Sequence, residues 1–451
     1  MTDVAQFPPG FLWGAATSAY QIEGSPLADG AGPSNWHLFS HRDGTISDAS
    51  NGDIACDHYR RFGEDIGLMR QLGLQAYRFS LSWSRIFPAG TGKINQKGLD
   101  FYRRLLNALL DAGIQPYPTL FHWDLPAALD ERGGWTNSDC AHWLADYAQT
   151  VFGALGGLAE NWTTLNEPWV IADAGFLDGI HAPGHRSLQE TPLVAHNLLR
   201  AHALAVQAFR AESNGRIGIV VNIEPKYAAS DQRGDQTAAE RAHAYMNRQY
   251  LDPLFLGGYP DELAEVFGDY WPRHNEADMR LLRTPFDFLG VNYYTRSVNR
   301  ADGNNLPVRA SPVAQPGAEY TEMGWEVFPR GLKETLLWIK RRYGDIPLYV
   351  TENGAAFKDP PLTAQGRLHD ARRVEYYRTH LNACREAIGS GVNLKGYFAW
   401  SLFDNFEWSY GYSKRFGLIH VDFDTQKRIF KDSAYFFSEA ILSNGASIDS
   451  D

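Results

Sequence analysis

A chain of 451 residues with 44% hydrophobic and 21% charged side chains has the balance of a globular protein with a large core, and no apolar run in it is long enough to cross a bilayer. Its formal charge of −11 repels nucleic-acid backbones and anionic lipid. No basic cluster overrides that charge, since Arg60-Arg61, Arg103-Arg104 and Arg341-Arg342 fall in helix-patterned segments and read as solvated faces, so neither a nucleic-acid nor a membrane partner is expected. Cys56, Cys140 and Cys384 are odd in number and widely spaced, which excludes a disulfide framework and a thiolate metal site. The acidic start that soon meets Pro8-Pro9 lacks the basic and apolar regions of a secretory signal, so a soluble, cytoplasmic protein is expected.

The first element is the apolar run 11–17, a buried strand. Between 57 and 72, Tyr59, Phe62, Ile66 and Met69 recur at helical spacing and Gly73 supplies a stop. The alternation repeats: strand 76–81, helix 98–112, strand 116–121, helix 138–152, strand 161–166, helix 192–212, strand 216–222, helical segments through Tyr250, strand 286–294, helix 329–343, a strand from Leu348 closing on Glu352, helix 370–390, strand 394–400 and helix 433–442. Near-continuous apolar strands separated by helices predict an α/β fold with a covered parallel sheet, and eight of them predict a closed (β/α)8 TIM barrel, a doubly wound open sheet being the alternative. No linker divides the chain, so one domain over 1–451 is expected, with 443–451 a frayed tail. The excess over the roughly 250 residues of a minimal barrel falls mainly after strands, at 24–51, 169–191 and 301–324, as long βα loops that would wall a pocket.

In a barrel the carboxyl ends of the strands converge on one mouth. Those ends carry Gln21, Arg78, His122-Trp123-Asp124, Asn166-Glu167, Asn292-Tyr293-Tyr294, Glu352-Asn353 and Trp400, followed by Asn405-Phe406-Glu407-Trp408. Two strands close on an acid beside an amide, Asn166-Glu167 before Pro168 and Glu352-Asn353 before a glycine, Gly354, that reads as turn-permitting. Amides, carboxylates, an imidazole and indole rings suit a polyhydroxylated ligand, with donors and acceptors for vicinal hydroxyls and flat apolar faces for the ring. Other motifs lead nowhere: Gly30-Ala31-Gly32 lacks the third glycine of a dinucleotide loop, and Asn161-Trp162-Thr163, a glycosylation triplet, falls on an inner strand. His181 and His185 have the spacing of a helical metal pair, but Pro183 and Gly184 make that segment a loop, so no metal and no cofactor are expected.

These residues also carry a resemblance. Segments 11–24, 77–86, 164–168, 292–295, 351–354 and 400–408, with Arg415-Phe416-Gly417-Leu418, together resemble glycoside hydrolase family 1, the β-glucosidase family, in order and nearly end to end. The resemblance implies a retaining β-glycosidase that removes terminal non-reducing β-D-glycosyl residues, with two acids about 5–5.5 Å apart. It assigns Glu352 as nucleophile and Glu167 as acid/base, Arg78 and Tyr294 as stabilisers of the Glu352 carboxylate, and Asn166 as the amide that meets the 2-hydroxyl. Gln21 and Glu407 would grip sugar hydroxyls from two sides, His122, Trp123 and Trp408 would add donors, and Trp400 would lie beneath the ring. Asn292, Tyr294 and Phe416 are further expected binding positions, and Trp325 and Trp169 would wall the leaving-group site.

The implied substrates are small β-glycosides such as cellobiose and aryl or alkyl glucosides. Galactosides and fucosides stay open, because inverting the 4-hydroxyl moves one oxygen within reach of the same Gln21 and Glu407. A 6-phosphoglycosidase is the runner-up: Ser413-Lys414 echoes part of its phosphate site, but Glu407 is retained and Phe416 stands where a tyrosine is expected. A thioglucosidase would carry glutamine in place of Glu167. A non-catalytic sugar-binding barrel is the reading from another class, and the intact acid pair weighs against it. Nothing in the surface pattern indicates an oligomeric state.

Overall fold

The apolar runs find their partners side by side. The computed structural model describes residues 6–449, in which β1 (Leu12–Ala16), β2 (Ala76–Ser80), β3 (Gln115–Phe121), β4 (Asn161–Asn166), β5 (Arg216–Asn222), β6 (Phe288–Asn292), β7 (Leu348–Asn353) and β8 (Leu394–Trp400) pair in sequence order. Every pairing is parallel, and β8 closes on β1 in the register Leu12↔Gly396 to Ala16↔Trp400. The expected TIM barrel is the observed architecture, and its strands stand close to their expected limits. The sixth is the exception: a strand over 286–294 is expected, and β6 covers only Phe288–Asn292, after which Tyr293 packs in the outer core and Tyr294 lines the pocket.

Period-two alternation divides the strand residues between two apolar layers. Trp13, Tyr77, Leu120, Trp162, Ile219, Leu289, Val350 and Tyr397 face outward into one continuous core. There they meet helices α1 (His58–Gln71), α2 (Gln96–Asp111), α3 (Cys140–Leu155), α4 (Glu190–Glu212), α5 (Gln249–Phe255), α6 (Pro329–Tyr343), α7 (Ala371–Gly389) and α8 (Asp432–Leu442). Leu105 and Leu109 of α2 show how: four residues apart, they lie on one helix face, fully buried, each burial stabilising by about 1.5–3 kcal/mol. A second cluster, with Leu12, Tyr117, Phe288, Tyr349 and Phe398, fills the barrel interior. Gly14 keeps room for it, since a Cβ there would stand 2.5 Å from the Phe398 ring.

The long loops after the strands carry structure of their own. The first contains the short helix Asn35–Ser40, and the fourth continues from Pro168–Ala172 into a π turn, Asp173–Leu177. Strands Lys226–Ala228, Ser297–Ala301 and Ala310–Pro312 form a small sheet beside the mouth, and Ile419–Val421 pairs with Arg428–Phe430. Below the mouth, Lys431 Nζ donates to Asp359 Oδ1 at 3.0 Å and to Asp404 Oδ1 at 2.8 Å, with Arg373, Arg415 and His420 around the same two acids. This buried cluster ties the segments after β7 and β8 to α7 and to the start of α8.

The segment from Ser443 is not a frayed tail as far as Asp449. Asn444 Nδ2 donates to the Phe7 carbonyl at 2.6 Å, Trp13 Nε1 donates to Asn444 Oδ1 at 3.1 Å, and Ile448 is fully buried. Those partners come from the other end of the chain. The last two residues of that expectation, 450 and 451, lie outside the described residues. Among the described residues no helix is long and apolar enough to cross a membrane, and Cys56, Cys140 and Cys384 are buried free thiols.

Candidate active site

The barrel brings four strand ends to one point. Arg78 on β2 donates from Nη1 to Glu352 Oε1 at 2.5 Å and from Nη2 to Asn166 Oδ1 at 2.6 Å. Tyr294, just past β6, donates its hydroxyl to the other Glu352 oxygen at 2.6 Å. Asn292 stands opposite Glu352 in the β6–β7 register and donates from Nδ2 to Glu167 Oε1 at 2.7 Å and to Asn166 Oδ1 at 3.1 Å. The two acids are therefore joined through a single layer of side chains, Arg78, Asn166 and Asn292, with Thr351 fixing the Asn292 amide through its carbonyl oxygen at 2.7 Å.

The donors fix the orientation of the rest. Asn166 Oδ1 accepts from both Arg78 and Asn292, so its Nδ2 must point the other way, 3.1 Å from His122 Nε2. That nitrogen accepts, which leaves the His122 proton on Nδ1. Burial and the Arg78 charge push the His122 pKa well below its ordinary value, so the ring stays neutral.

Opposed environments separate the acids. Burial drives the Glu167 carboxyl up to about 8, the negative charge of Glu352 adds to the rise, and the Asn292 hydrogen bond and Arg78 only partly oppose it. Burial raises Glu352 as well, but the Arg78 ion pair and the Tyr294 hydroxyl act directly on its two oxygens. The first proton therefore leaves Glu352, and its charge holds the second on Glu167. Glu167 also has left-handed backbone, φ 50°, as do Trp123 (81°) and Trp408 (49°). Left-handed non-glycine backbone costs roughly 1–3 kcal/mol and persists where surrounding contacts over-determine it.

Beyond the acids lies a cavity of about 350 Å³ lined by Glu167, Asn292, Tyr294, Trp325, Glu407 and Trp408 among others. At its inner end Gln21 Nε2 donates to Asn405 Oδ1 and to the Phe406 carbonyl, both at 3.0 Å, and approaches Glu407 Oε2 at 3.4 Å. Burial and the Glu352 charge push the Glu407 carboxyl up to about 8. Trp400 and Trp408 lie nearly parallel to the His122 ring at 6.1 and 6.0 Å, and Trp325, Tyr294 and Phe416 form a second aromatic group with centroids 5.0–6.2 Å apart. Trp169 lines the outer cavity.

Of the residues expected at the strand ends, Trp123, Glu167, Asn292, Tyr294, Glu407 and Trp408 line this cavity, and Arg78, Asn166, Glu352 and Gln21 are joined to them by the hydrogen bonds above. Two expected donors differ: His122 accepts from Asn166 at Nε2, and its Nδ1 is buried without a partner. Trp123 is expected as a free donor, but its Nε1 donates to the Asn166 carbonyl at 3.0 Å, so in this arrangement the ring presents only its face and edge. Gly354 also differs from its expected role. It is absent from the positive-φ residues, and what it supplies is room, because a Cβ there would stand 1.6 Å from the Trp400 carbonyl oxygen. His181 and His185 have separate surroundings, the first against Trp36 and Trp123 and the second bonded to Glu190. Thr351, Tyr20 and Trp36 escaped the sequence reading as parts of the site; the last two pack behind Trp408. Their only signal was nearness to a motif.

The matches to known proteins point the same way. A model of glycosyl hydrolase family 1 matches residues 3–446. A 1,4-β-D-glucan glucohydrolase from Thermotoga neapolitana is 49% identical over 442 residues, 98% of this chain and 99% of the relative. The structure of a family 1 β-glucosidase from Thermotoga maritima superposes with a TM-score of 0.96 at 48% identity, covering 98% of this chain and 99% of that one. The same enzyme in complex with glucoimidazole gives 0.95, again at 48% identity, over 98% and 100% of the two chains. Matched nearly end to end in sequence and in backbone, the chain belongs to glycosyl hydrolase family 1.

Proposed function

We propose that this chain is a retaining β-glucosidase that acts on small β-glucosides, with Glu352 as nucleophile and Glu167 as acid/base. The observation that carries the reading is the division of labour between two buried acids: Glu352 held by Arg78 and Tyr294 at 2.5 and 2.6 Å, Glu167 kept protonated to about 8. In the first step a Glu352 oxygen bonds to the anomeric carbon as the bond to the leaving oxygen breaks, and Glu167 gives that oxygen its proton. The resulting ester has no charge at Glu352, so Glu167 loses what held its proton and takes one from water. The water oxygen displaces Glu352 from the anomeric carbon, and the sugar leaves with its configuration retained. Asn166 is assigned the 2-hydroxyl, a role that its hydrogen bonds from Arg78 and Asn292 support by fixing its amide.

Gln21 and Glu407 end the pocket and support recognition of a terminal sugar. Glucosides are assigned because the relatives are a β-glucosidase and a 1,4-β-D-glucan glucohydrolase. The phosphorylated-sugar reading loses ground at Lys414, whose ammonium donates to the Glu322 carbonyl at 2.8 Å rather than standing beside Glu407. The three buried thiols favour a reducing, cytoplasmic setting.

The test is release of nitrophenol from an aryl β-glucoside and from its 6-phosphorylated counterpart, with the anomer of the first product followed by NMR. Fast turnover of the plain glucoside to the β-sugar, lost by orders of magnitude in Glu352→Gln, is the expected result. Preference for the phosphorylated substrate, or first release of the α-sugar, overturns the reading.

A further inference from the structure

Outside the pocket, the described residues place imidazole and carboxylate groups together twice: Asp359, Asp404 and His420, and His37, His41 and Asp53. The first group already holds its cations, with Lys431 between the acids and Arg373 and Arg415 beside them. The second has none. Among the described ion pairs, Asp53 meets only the two imidazoles.

The proton positions there leave a gap. His41 Nδ1 lies 2.6 Å from the His37 carbonyl oxygen, which only accepts, so Nδ1 carries the ring proton. The other nitrogen, Nε2, faces Asp53 Oδ2 at 3.1 Å. His37 Nδ1 faces Asp53 Oδ1 at 3.4 Å, and both of these atoms are buried with no hydrogen-bond partner. A cation held among the three side chains would engage both of those unpartnered atoms at once.

We propose that His37 Nδ1, His41 Nε2 and Asp53 form a three-ligand site for a divalent transition ion of the zinc class, with water as fourth ligand. His37 Nδ1 stands 3.4 Å from Asp53 Oδ1 and His41 Nε2 3.1 Å from Asp53 Oδ2, and one ligand atom from each of the three residues lies within 4.8 Å of the others, close enough for all three residues to reach one ion at bonds of about 2.0–2.2 Å. Imidazole donors favour zinc, cobalt, nickel or copper over magnesium and calcium. The hydrogen bond from His41 Nδ1 to a backbone carbonyl is the usual orienting partner of a ligating histidine. Partial exposure of the His41 and Asp53 side chains, 39% and 42%, gives the ion an entry path.

Such an ion would fasten two pieces of the first long loop behind the sugar pocket. His37 and His41 belong to the segment around helix Asn35–Ser40, whose Trp36 packs on Trp408 at 4.5 Å and whose Ser40 bonds the Tyr20 hydroxyl at 2.8 Å. Asp53 follows Gly52, where a Cβ would stand 2.8 Å from the Tyr20 ring.

The experiment is calorimetric titration of zinc into metal-stripped native protein and into His41→Gln, Asp53→Asn and, as a control, His185→Ala. The expected result is one equivalent bound by the native protein and the control with a Kd below about 100 μM, and at least about tenfold weaker binding in both other variants. Thermal melts without metal show whether the variants fold. In the native protein, zinc should raise the melting temperature and magnesium should leave it unchanged. No zinc uptake by the native protein, binding in either site variant within about tenfold of native, or an equal effect of magnesium overturns the proposal.

Discussion

Replacing Glu352 by glutamine removes one negative charge from the pocket while keeping its shape, so it isolates how much of the Glu167 proton affinity is owed to its neighbour. Glu167 sits at about 8 against an ordinary 4.5, a preference for the protonated form worth roughly 5 kcal/mol. At the roughly 5–5.5 Å spacing of a retaining pair and an effective dielectric near 20, two like charges repel by about 3 kcal/mol. Removing that repulsion should bring Glu167 down to about 6, and lower still where Arg78, now uncompensated, acts on it. The assay is ¹³C NMR of carboxyl-labelled glutamate in Glu352→Gln, with Glu167 assigned by its disappearance in the double variant Glu352→Gln, Glu167→Gln. The same number bears on the second step of the reaction, because the glycosyl ester also lacks the Glu352 charge. A Glu167 that still titrates near 8 in the variant would mean that burial alone holds the proton, and the argument for switching from acid to base would fail.

Glu407→Ser should lower kcat/KM for an aryl glucoside by about 10–150-fold for each sugar hydrogen bond lost, without creating preference for the phosphorylated sugar, since Lys414 is engaged at Glu322. Steady-state kinetics on both substrates checks it. Lys431→Met leaves Asp359 and Asp404 with a buried partner missing and should cost about 3–5 kcal/mol, read from denaturant unfolding. In the native protein Asp404 and Asp359 are held below their ordinary value by Lys431 and its cationic neighbours, against the opposing effect of burial. That stability is present above the ordinary carboxylate range and is lost as pH falls below it, so the penalty of the variant should shrink in acid. Gly354→Ala places a methyl against the Trp400 carbonyl and should cost several kcal/mol or displace Trp400, seen as a lower melting temperature together with a raised KM.

The barrel was legible because its strands are covered on both sides, and such strands write themselves as unbroken apolar runs between helical periods. The pocket was legible for a related reason. Polar residues at the ends of those runs, such as Asn166-Glu167 where β4 ends and Glu352-Asn353 closing β7, have no structural need to be there, so chemistry explains them best. What escaped depends on contacts that span the chain. Asn444 looks like any residue of a polar tail until Phe7 and Trp13 are beside it. The reason for Gly354 lies in a carbonyl 46 positions away in the sequence, that of Trp400. His37 and His41 have the spacing of His181 and His185, and only the fold shows that Asp53 joins the first pair.

The hydrogen bonds between Phe7 and Asn444 have a consequence for how the protein could be rebuilt. They sit before β1 and after α8, at the barrel end opposite the pocket, and bring the outer ends of the barrel path together. With β8 already zipped to β1, the eight βα units form a ring in which the position of the chain break is incidental. A circular permutant joined across that contact and reopened at another αβ connection on the same face would retain every strand pairing and leave the mouth untouched.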